Sequence, residues 1–212
     1  LLGGRTMTGR TMQMDIKQTA VALRKNGFGV RVFQTGQEAA EAAIALIGAR
    51  TVGIGGSWTI HTLGLYERLC GQGNTVSWHW RDADPEAARR RAGASQVYLA
   101  SSNAVTLDGK LVNIDGTGNR VGSFCWGPEE VVLIVGRNKL VRDAEDAIRR
   151  IHEEACGKNA RRLGLKTPCA VLDRCTDCDT PDRMCRVVQI LERKPGGVRG
   201  LQVFLVDEDL GF

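Results

Sequence analysis

Apolar positions along this chain switch repeatedly between helical spacing and strand spacing. Ile16, Ala20 and Leu23 recur at helical intervals and stop at Asn26-Gly27, a helix C-terminal signal. Val30-Arg31-Val32-Phe33 then predicts a strand, and Ala40, Ala43, Ile44 and Ile47 predict a helix. Thr51-Val52-Gly53-Ile54 is a short strand running into Gly55-Gly56-Ser57, after which Ile60, Leu63, Leu65 and Leu69 predict another helix. Val76 to Trp78 and Val97 to Ala100 predict strands around a helix over Pro85 to Arg91, which opens on a proline at a tolerated position. Val105-Thr106-Leu107 and Leu111-Val112-Asn113-Ile114, joined by Asp108-Gly109-Lys110, predict a hairpin. Val131 to Val135 reads as a buried strand, and Ala144, Ala147, Ile148, Ile151 and Ala155 as an amphipathic helix capped by Asp143.

Strands alternating with helices predict an α/β fold of three layers, a mostly parallel sheet covered on both faces. After Leu165 the pattern gives way to a cysteine-rich loop over residues 166–186 and two strands, Val187 to Leu191 and Leu201 to Val206. Those strands are expected antiparallel beside the sheet or paired with the hairpin. Residues 1–13 lack periodicity and read as a flexible lead-in, leaving residues 14–212 as one domain.

Composition narrows the partners. The net charge of +5 is mildly basic, and the arginine clusters fall at expected helix ends, where cations complement the dipole. Nucleic acid is therefore not an expected partner. No apolar run approaches the ~20 residues of a membrane span, and no charged segment followed by an apolar stretch marks secretion. A cytoplasmic protein is expected.

Four of the seven cysteines, Cys169, Cys175, Cys178 and Cys185, fall in the pattern C-x5-C-x2-C-x6-C. Thiolates this close can converge on one soft metal or iron–sulfur centre. The spacers Asp173, Asp177, Asp179, Pro181 and Asp182 are turn formers suited to a wrapping loop. Structural zinc favours two short cysteine pairs, and only Cys175–Cys178 forms one; looser outer spacing suits an iron–sulfur cluster, 4Fe–4S in type. Zinc, a redox disulfide and unbound thiols remain alternatives. Cys70, Cys125 and Cys156 read as ordinary thiols.

Two glycine-rich turns follow strands. Gly53-Ile54-Gly55-Gly56-Ser57-Trp58-Thr59 offers backbone N–H groups and hydroxyls to an anion, or a glycine turn with Ser57 as a helix cap. It is neither a dinucleotide fingerprint nor a Walker loop. Asn113-Ile114-Asp115-Gly116-Thr117-Gly118-Asn119-Arg120 packs a carboxylate, a hydroxyl, an amide and a guanidinium into a strand-to-helix junction. Arg120 can clamp a phosphate or carboxylate, or Asp115 can cap the next helix and pair with Arg120. Gly136-Arg137-Asn138-Lys139 follows a third strand and adds a cation to the same rim. His79, between Trp78 and Trp80, reads as a packed side chain, and no nucleophile–base arrangement is legible.

Val52 to Ser57, Ser102-Asn103-Ala104, Leu111 to Arg120, Gly136 to Lys139, Asn159-Ala160, Pro168 to Cys185 and Val206 to Gly211 together resemble the lactate-utilisation (LUD) domain family, in its short YkgG-type members. The resemblance covers nearly everything from Gly27 to Phe212. It implies the fold of ribose-5-phosphate isomerase, glucosamine-6-phosphate deaminase and the CoA transferases. It also implies a link, through other members, to bacterial lactate oxidation by iron–sulfur complexes, whose proteins become candidate partners. In such isomerases the turn matching Asp115-Gly116 continues with further acids; here Thr117-Gly118-Asn119 follows, which argues against isomerase chemistry. The phosphate loop of that fold matches Gly53 to Ser57. The candidate site for a small anionic metabolite is thus Gly53, Gly55, Gly56, Ser57, Thr59, Asn103, Asp115, Gly116, Thr117, Gly118, Asn119, Arg120, Asn138 and Lys139. The reading that follows is an accessory or electron-transfer component with a metal centre. Its alternatives are an enzyme acting on a phosphorylated or CoA-linked metabolite, and a zinc-stapled binding module.

Overall fold

The computed structural model describes residues 16–212, so the lead-in expected over residues 1–13 lies outside the described residues. Its strands are β1 (Gly29–Phe33), β2 (Val52–Ile54), β3 (Val76–Trp78), β4 (Val97–Ala100) and β5 (Ala104–Thr106), then β6 (Leu111–Asp115), β7 (Glu130–Gly136), β8 (Leu140–Val141), β9 (Val187–Leu191) and β10 (Gly200–Val206). The helices are α1 (Ile16–Lys25), α2 (Gly36–Ile47), α3 (Trp58–Thr62), α4 (Leu65–Gly71) and α5 (Pro85–Gly93), then α6 (Asn119–Cys125), α7 (Ala144–Arg150), α8 (Cys156–Arg162) and α9 (Pro168–Leu172).

Six strands form a parallel sheet in the order β1-β10-β7-β4-β2-β3. Alternation along each strand divides the interior in two. Val131, Leu133 and Val135 of β7 face one core with Leu201, Val203, Leu205, Tyr98 and Phe124. Val132 and Ile134 face the other, against Ala39, Ala43 and Ile47 of α2 and Leu65 and Leu69 of α4. A strand buried on both faces has no polar side to show, which is why β7 is a continuous apolar run. Helices on both faces complete the three layers anticipated above.

A second, mixed sheet of four strands, in the order β8-β5-β6-β9, carries the hairpin. One of its faces joins the first core through Val105 and Leu111. The other packs Val112, Ile114 and Val141 against Ala147 of α7 and Ile151 just beyond it.

Local signals fix the element ends. Thr35 and Glu38 close a reciprocal capping box at the start of α2, and Asp84 caps α5 through the N–H groups of Glu86 and Ala87. Two expectations need correction. The helix expected from Ile60 to Leu69 is two helices, because Gly64 sits at φ 62 and ends the first in a left-handed residue. β10 does not lie antiparallel beside the sheet: it runs parallel between β1 and β7, where Val203 to Val206 are shielded on both sides. β9 does pair with the hairpin, antiparallel to β6.

The helix predicted over Ala144 to Ala155 continues to Arg162 through a π-helical turn at Ile151–Ala155. Such turns widen a helix locally and recur at functional sites. Here the turn lies at the wall of a cavity.

Candidate functional site

The carboxyl ends of β2, β3, β4, β6 and β7 and the chain's last residue converge on one cavity of about 250 Å³. Parallel sheets bind ligands at this edge because their loops converge there. Gly56, Ser57 and Thr59 come from the first glycine turn, Asp115 to Thr117, Asn119 and Arg120 from the second, and Asn103 and Lys139 from two further loops. Gly53, Gly55, Gly118 and Asn138, also expected in the site, do not line the cavity. A Cβ on Gly53 would meet the Ala92 carbonyl oxygen at 2.2 Å, so only glycine lets α5 pack on β2. Gly118 turns the chain into α6 at φ 88, a left-handed value that glycine adopts without strain. Asn138 ties the loop after β7 to the chain end, accepting from the Leu210 N–H at 3.1 Å.

Arg120 is 7% exposed and all its donors meet protein acceptors. One terminal nitrogen donates to Ser101 O at 3.1 Å and Asn113 Oδ1 at 3.0 Å. The other donates to Asn103 Oδ1 at 2.9 Å and Ile114 O at 2.8 Å. Its Nε pairs with Asp115 at 3.3 Å. The other Asp115 oxygen accepts from the Thr117 and Gly118 N–H groups at 3.0 and 2.7 Å. Of the two roles open to Arg120, this geometry matches the pairing with Asp115: the side chain ties α6 to the end of β6 and to the loop after β4. Asn103 belongs to the same network, accepting also from the Ile114 N–H at 3.0 Å.

Lys139 is 4% exposed, and its Nζ donates to Thr59 Oγ1 and Ser101 Oγ, each at 3.0 Å. Among the described residues it has no carboxylate partner. Burial first, then the Arg150 and Arg120 charges, lowers its pKa to about 7.

Three basic lining residues escaped the sequence reading. Arg162 lies with its guanidinium 4.2 Å from the Trp80 ring centre and bonds Asn159 Oδ1, and Arg89 stands nearby; neither makes an ion pair among the described residues. His79, read as a packed side chain, also lines the cavity, with Nδ1 buried and unpartnered among the described residues. Burial, then Arg89 and Arg162, lowers its pKa to about 4, so the imidazole is neutral at pH 7. The stripe Ile151, Ala155, Asn159, Arg162, at intervals of four, four and three, was the available signal for Arg162.

The cysteine loop abuts the same cavity. Cys185 lines it together with Cys156, and their sulfurs are 3.3 Å apart. Cys156, expected to be an ordinary thiol, is thus a neighbour of the loop cysteines. The Cys185 contact, burial and the Cys185, Cys169 and Cys175 charges all push its thiol up. Cys185 is held down to about 7, chiefly by the hydrogen bond from Cys156 and further by Arg183. Cys175 Sγ accepts from the Asp177 N–H at 3.4 Å, with Asp177 at φ 46, a knuckle that turns a backbone donor onto sulfur. Cys169 is buried against Thr167 Oγ1 at 3.2 Å, and the Cys178 carbonyl accepts from Arg183 at 2.7 Å. Among the described residues no three His, Cys, Asp or Glu side chains are arranged to hold a metal ion. None of their helices is long and apolar enough to cross a membrane.

A family model described as the LUD domain matches residues 16–206. Among solved structures, a DUF162 family protein from Deinococcus radiodurans is similar over 90% of this chain and 94% of its own, with a TM-score of 0.50. Its identity is 13%, so this likeness speaks for the fold alone. No curated protein matches.

Proposed function

We propose, from the premise that the chain belongs to the LUD domain family, a lactate-utilisation-like protein whose cavity binds a small anionic metabolite. One observation carries the reading. Arg89, Arg162 and Lys139 line a single cavity without a carboxylate partner among the described residues, while its acid, Asp115, is taken by Arg120. Cations gathered in a partly dry space repel one another, and an entering carboxylate or phosphate relieves that cost. The cavity is smaller than the roughly 300–1,000 Å³ of sites for drug-sized ligands, which favours a metabolite of a few carbons. Planar Arg162, stacked on Trp80, suits a bidentate contact with a carboxylate.

The test is thermal unfolding with lactate, pyruvate, inorganic phosphate, phosphoenolpyruvate and CoA. A ligand at about 100 times its Kd stabilises by about 2.7 kcal/mol, roughly 5–11 °C for a chain of this size. Arg162→Met should abolish the shift. A flat response to the whole panel would sink this reading, including its enzyme variant acting on phosphorylated or CoA-linked metabolites.

A second element of the proposal rests on the cysteine chemistry and spacing, since no three of these side chains converge as a metal site among the described residues. The thiols suit a soft metal, and the Asp177 N–H on Cys175 is the kind of outer contact that steadies a thiolate ligand. Cys169, Cys175, Cys178 and Cys185 would hold an iron–sulfur cluster or zinc, with Cys156 beside them. A cluster supplies one-electron transfer, and zinc fastens the loop. The chain's own contribution is to hold Cys185 against Cys156 at the cavity wall and to brace the loop through Arg183. Metal and sulfide analysis of protein purified without oxygen decides between the two. Iron with labile sulfide supports an electron-transfer component that works with iron–sulfur partner proteins. Zinc supports a staple, and no metal overturns the centre.

A further inference from the structure

The cavity floor holds an amine arranged as a nucleophile. Lys139 Nζ has two neighbours, Thr59 Oγ1 and Ser101 Oγ, both at 3.0 Å. Each hydroxyl sends its own proton elsewhere: Thr59 to the Leu210 carbonyl at 3.4 Å, Ser101 to the Ser102 carbonyl at 3.2 Å. Both oxygens therefore face Lys139 as acceptors. A neutral amine satisfies them with its two N–H groups and keeps its lone pair free. An ammonium would carry a third N–H with no acceptor among the described residues. Charged groups from other elements press the same way: first Arg150 at the end of α7, which bonds the Asn138 and Asn103 carbonyls at 2.9 and 3.0 Å and pairs with Glu154 at 3.8 Å, then Arg120 on α6, whose charge Asp115 offsets in part. Among the described residues no acid pairs with Lys139. The lowered proton affinity noted above agrees with this arrangement, and lysines flanked by cations in dry sites serve as carbonyl nucleophiles.

We propose that Lys139 forms a reversible imine with a small 2-oxo carboxylate whose carboxylate end rests on Arg162 and Arg89. The amine lone pair attacks the carbonyl carbon, breaking its π bond and giving a carbinolamine once a proton moves from nitrogen to oxygen. Loss of that hydroxyl as water, with one proton supplied, leaves the C=N bond. No electrons are gained or lost. The inference rests on the anion-binding reading and assigns its ligand class. The neutral imidazole of His79 lines the same cavity and can relay the protons.

The experiment incubates the full chain with pyruvate, glyoxylate or 2-oxobutyrate, adds borohydride, and reads intact mass and a peptide map. Reduction fixes the imine as a secondary amine, heavier than the protein by the mass of the oxo acid less one oxygen. One saturable addition, mapped to Lys139 and suppressed by excess lactate, is the expected result. Lys139→Arg should lose the adduct and keep the fold, and mapping of the unaltered chain locates the site independently of that variant. No adduct, or an adduct spread evenly over exposed lysines, overturns the proposal. If the same anions still raise Tm, the binding reading stands and only the imine falls. If they do not, both fall.

Discussion

Arg120→Met tests whether one buried guanidinium assembles the site. The substitution keeps most of the aliphatic volume and removes five contacts, at 2.8 to 3.3 Å, to Ser101, Asn103, Asn113, Ile114 and Asp115. Three acceptors keep other donors. Asn113 Oδ1 still accepts from the Asn103 N–H at 3.0 Å, Asn103 Oδ1 from the Ile114 N–H, and Asp115 from Thr117 and Gly118. The Ser101 and Ile114 carbonyls receive no other donor described above, and the Asp115 side chain, 9% exposed, loses its countercharge. Removing one member of a buried ion pair costs about 3–5 kcal/mol. At about 2–4 °C per kcal/mol for a chain of this size, Tm should fall by roughly 6–20 °C. Calorimetry with a parallel urea titration measures it, and an unchanged m-value shows that stability alone has moved. Arg120→Lys should recover less than half, since a point charge cannot reach all five acceptors on β6 and the loop after β4. A Tm within about 2 °C of the unaltered chain would show that Arg120 does not assemble the site and leave these segments held by their backbone alone.

Gly53→Ala should be costly despite adding one methyl group. The new Cβ meets backbone of Ala92 at 2.2 to 2.7 Å, which cannot rotate away, so α5 must shift; overpacking of this kind costs about 1–3 kcal/mol, read as lost Tm. Lys139 makes stability depend on pH. Its folded pKa of about 7 lies below the ordinary 10.5, so between these values the unfolded chain binds the extra proton and stability rises with pH. The slope approaches 1.4 kcal/mol per pH unit at about one proton of difference. Below pH 7 both states are protonated and this contribution is flat. Urea titrations from pH 6 to 10 should show Lys139→Met losing that slope relative to the unaltered chain; parallel curves would refute a depressed lysine.

Much of the architecture was legible because it follows from periodicity. The doubly buried strands are long apolar runs, and the hairpin carries its own Asp-Gly turn, so neither needed tertiary knowledge. The place of β10 was not legible: its run announces burial, but which neighbours bury it depends on chain crossings that no local pattern encodes. The same division holds in the site. Both glycine turns follow strands, and the parallel-sheet rule puts them on one edge. Arg120 as a hub was visible only as one of two alternatives, because its acceptors on Ser101 and Asn103 come from a loop some twenty residues earlier. Lys139 resembled any loop lysine; its Nζ partners, Thr59 and Ser101, stand 80 and 38 residues earlier in the chain. Cys156 sat in a helix, and its partner Cys185 lies 29 residues further on, beyond any local pattern.

The cavity makes two demands on Lys139 that pull in opposite directions. Holding an anion favours the ammonium, and attacking a carbonyl needs the free amine. A ligand with a carboxylate at one end and a carbonyl at the other separates them, because Arg162 and Arg89 take the charge while Lys139 meets the neutral carbon. The two functions should then divide as pH rises through about 7. An anion without a ketone or aldehyde whose charge is constant over this interval, such as lactate, gains attraction from a protonated Lys139 and should bind more weakly as that proton leaves. The initial rate of borohydride trapping with pyruvate should climb over the same interval, since the fraction of free amine grows. Calorimetric binding and trapping rates on one preparation compare them directly. Curves that fall together would place Lys139 with the arginines as a cation and remove it from the chemistry.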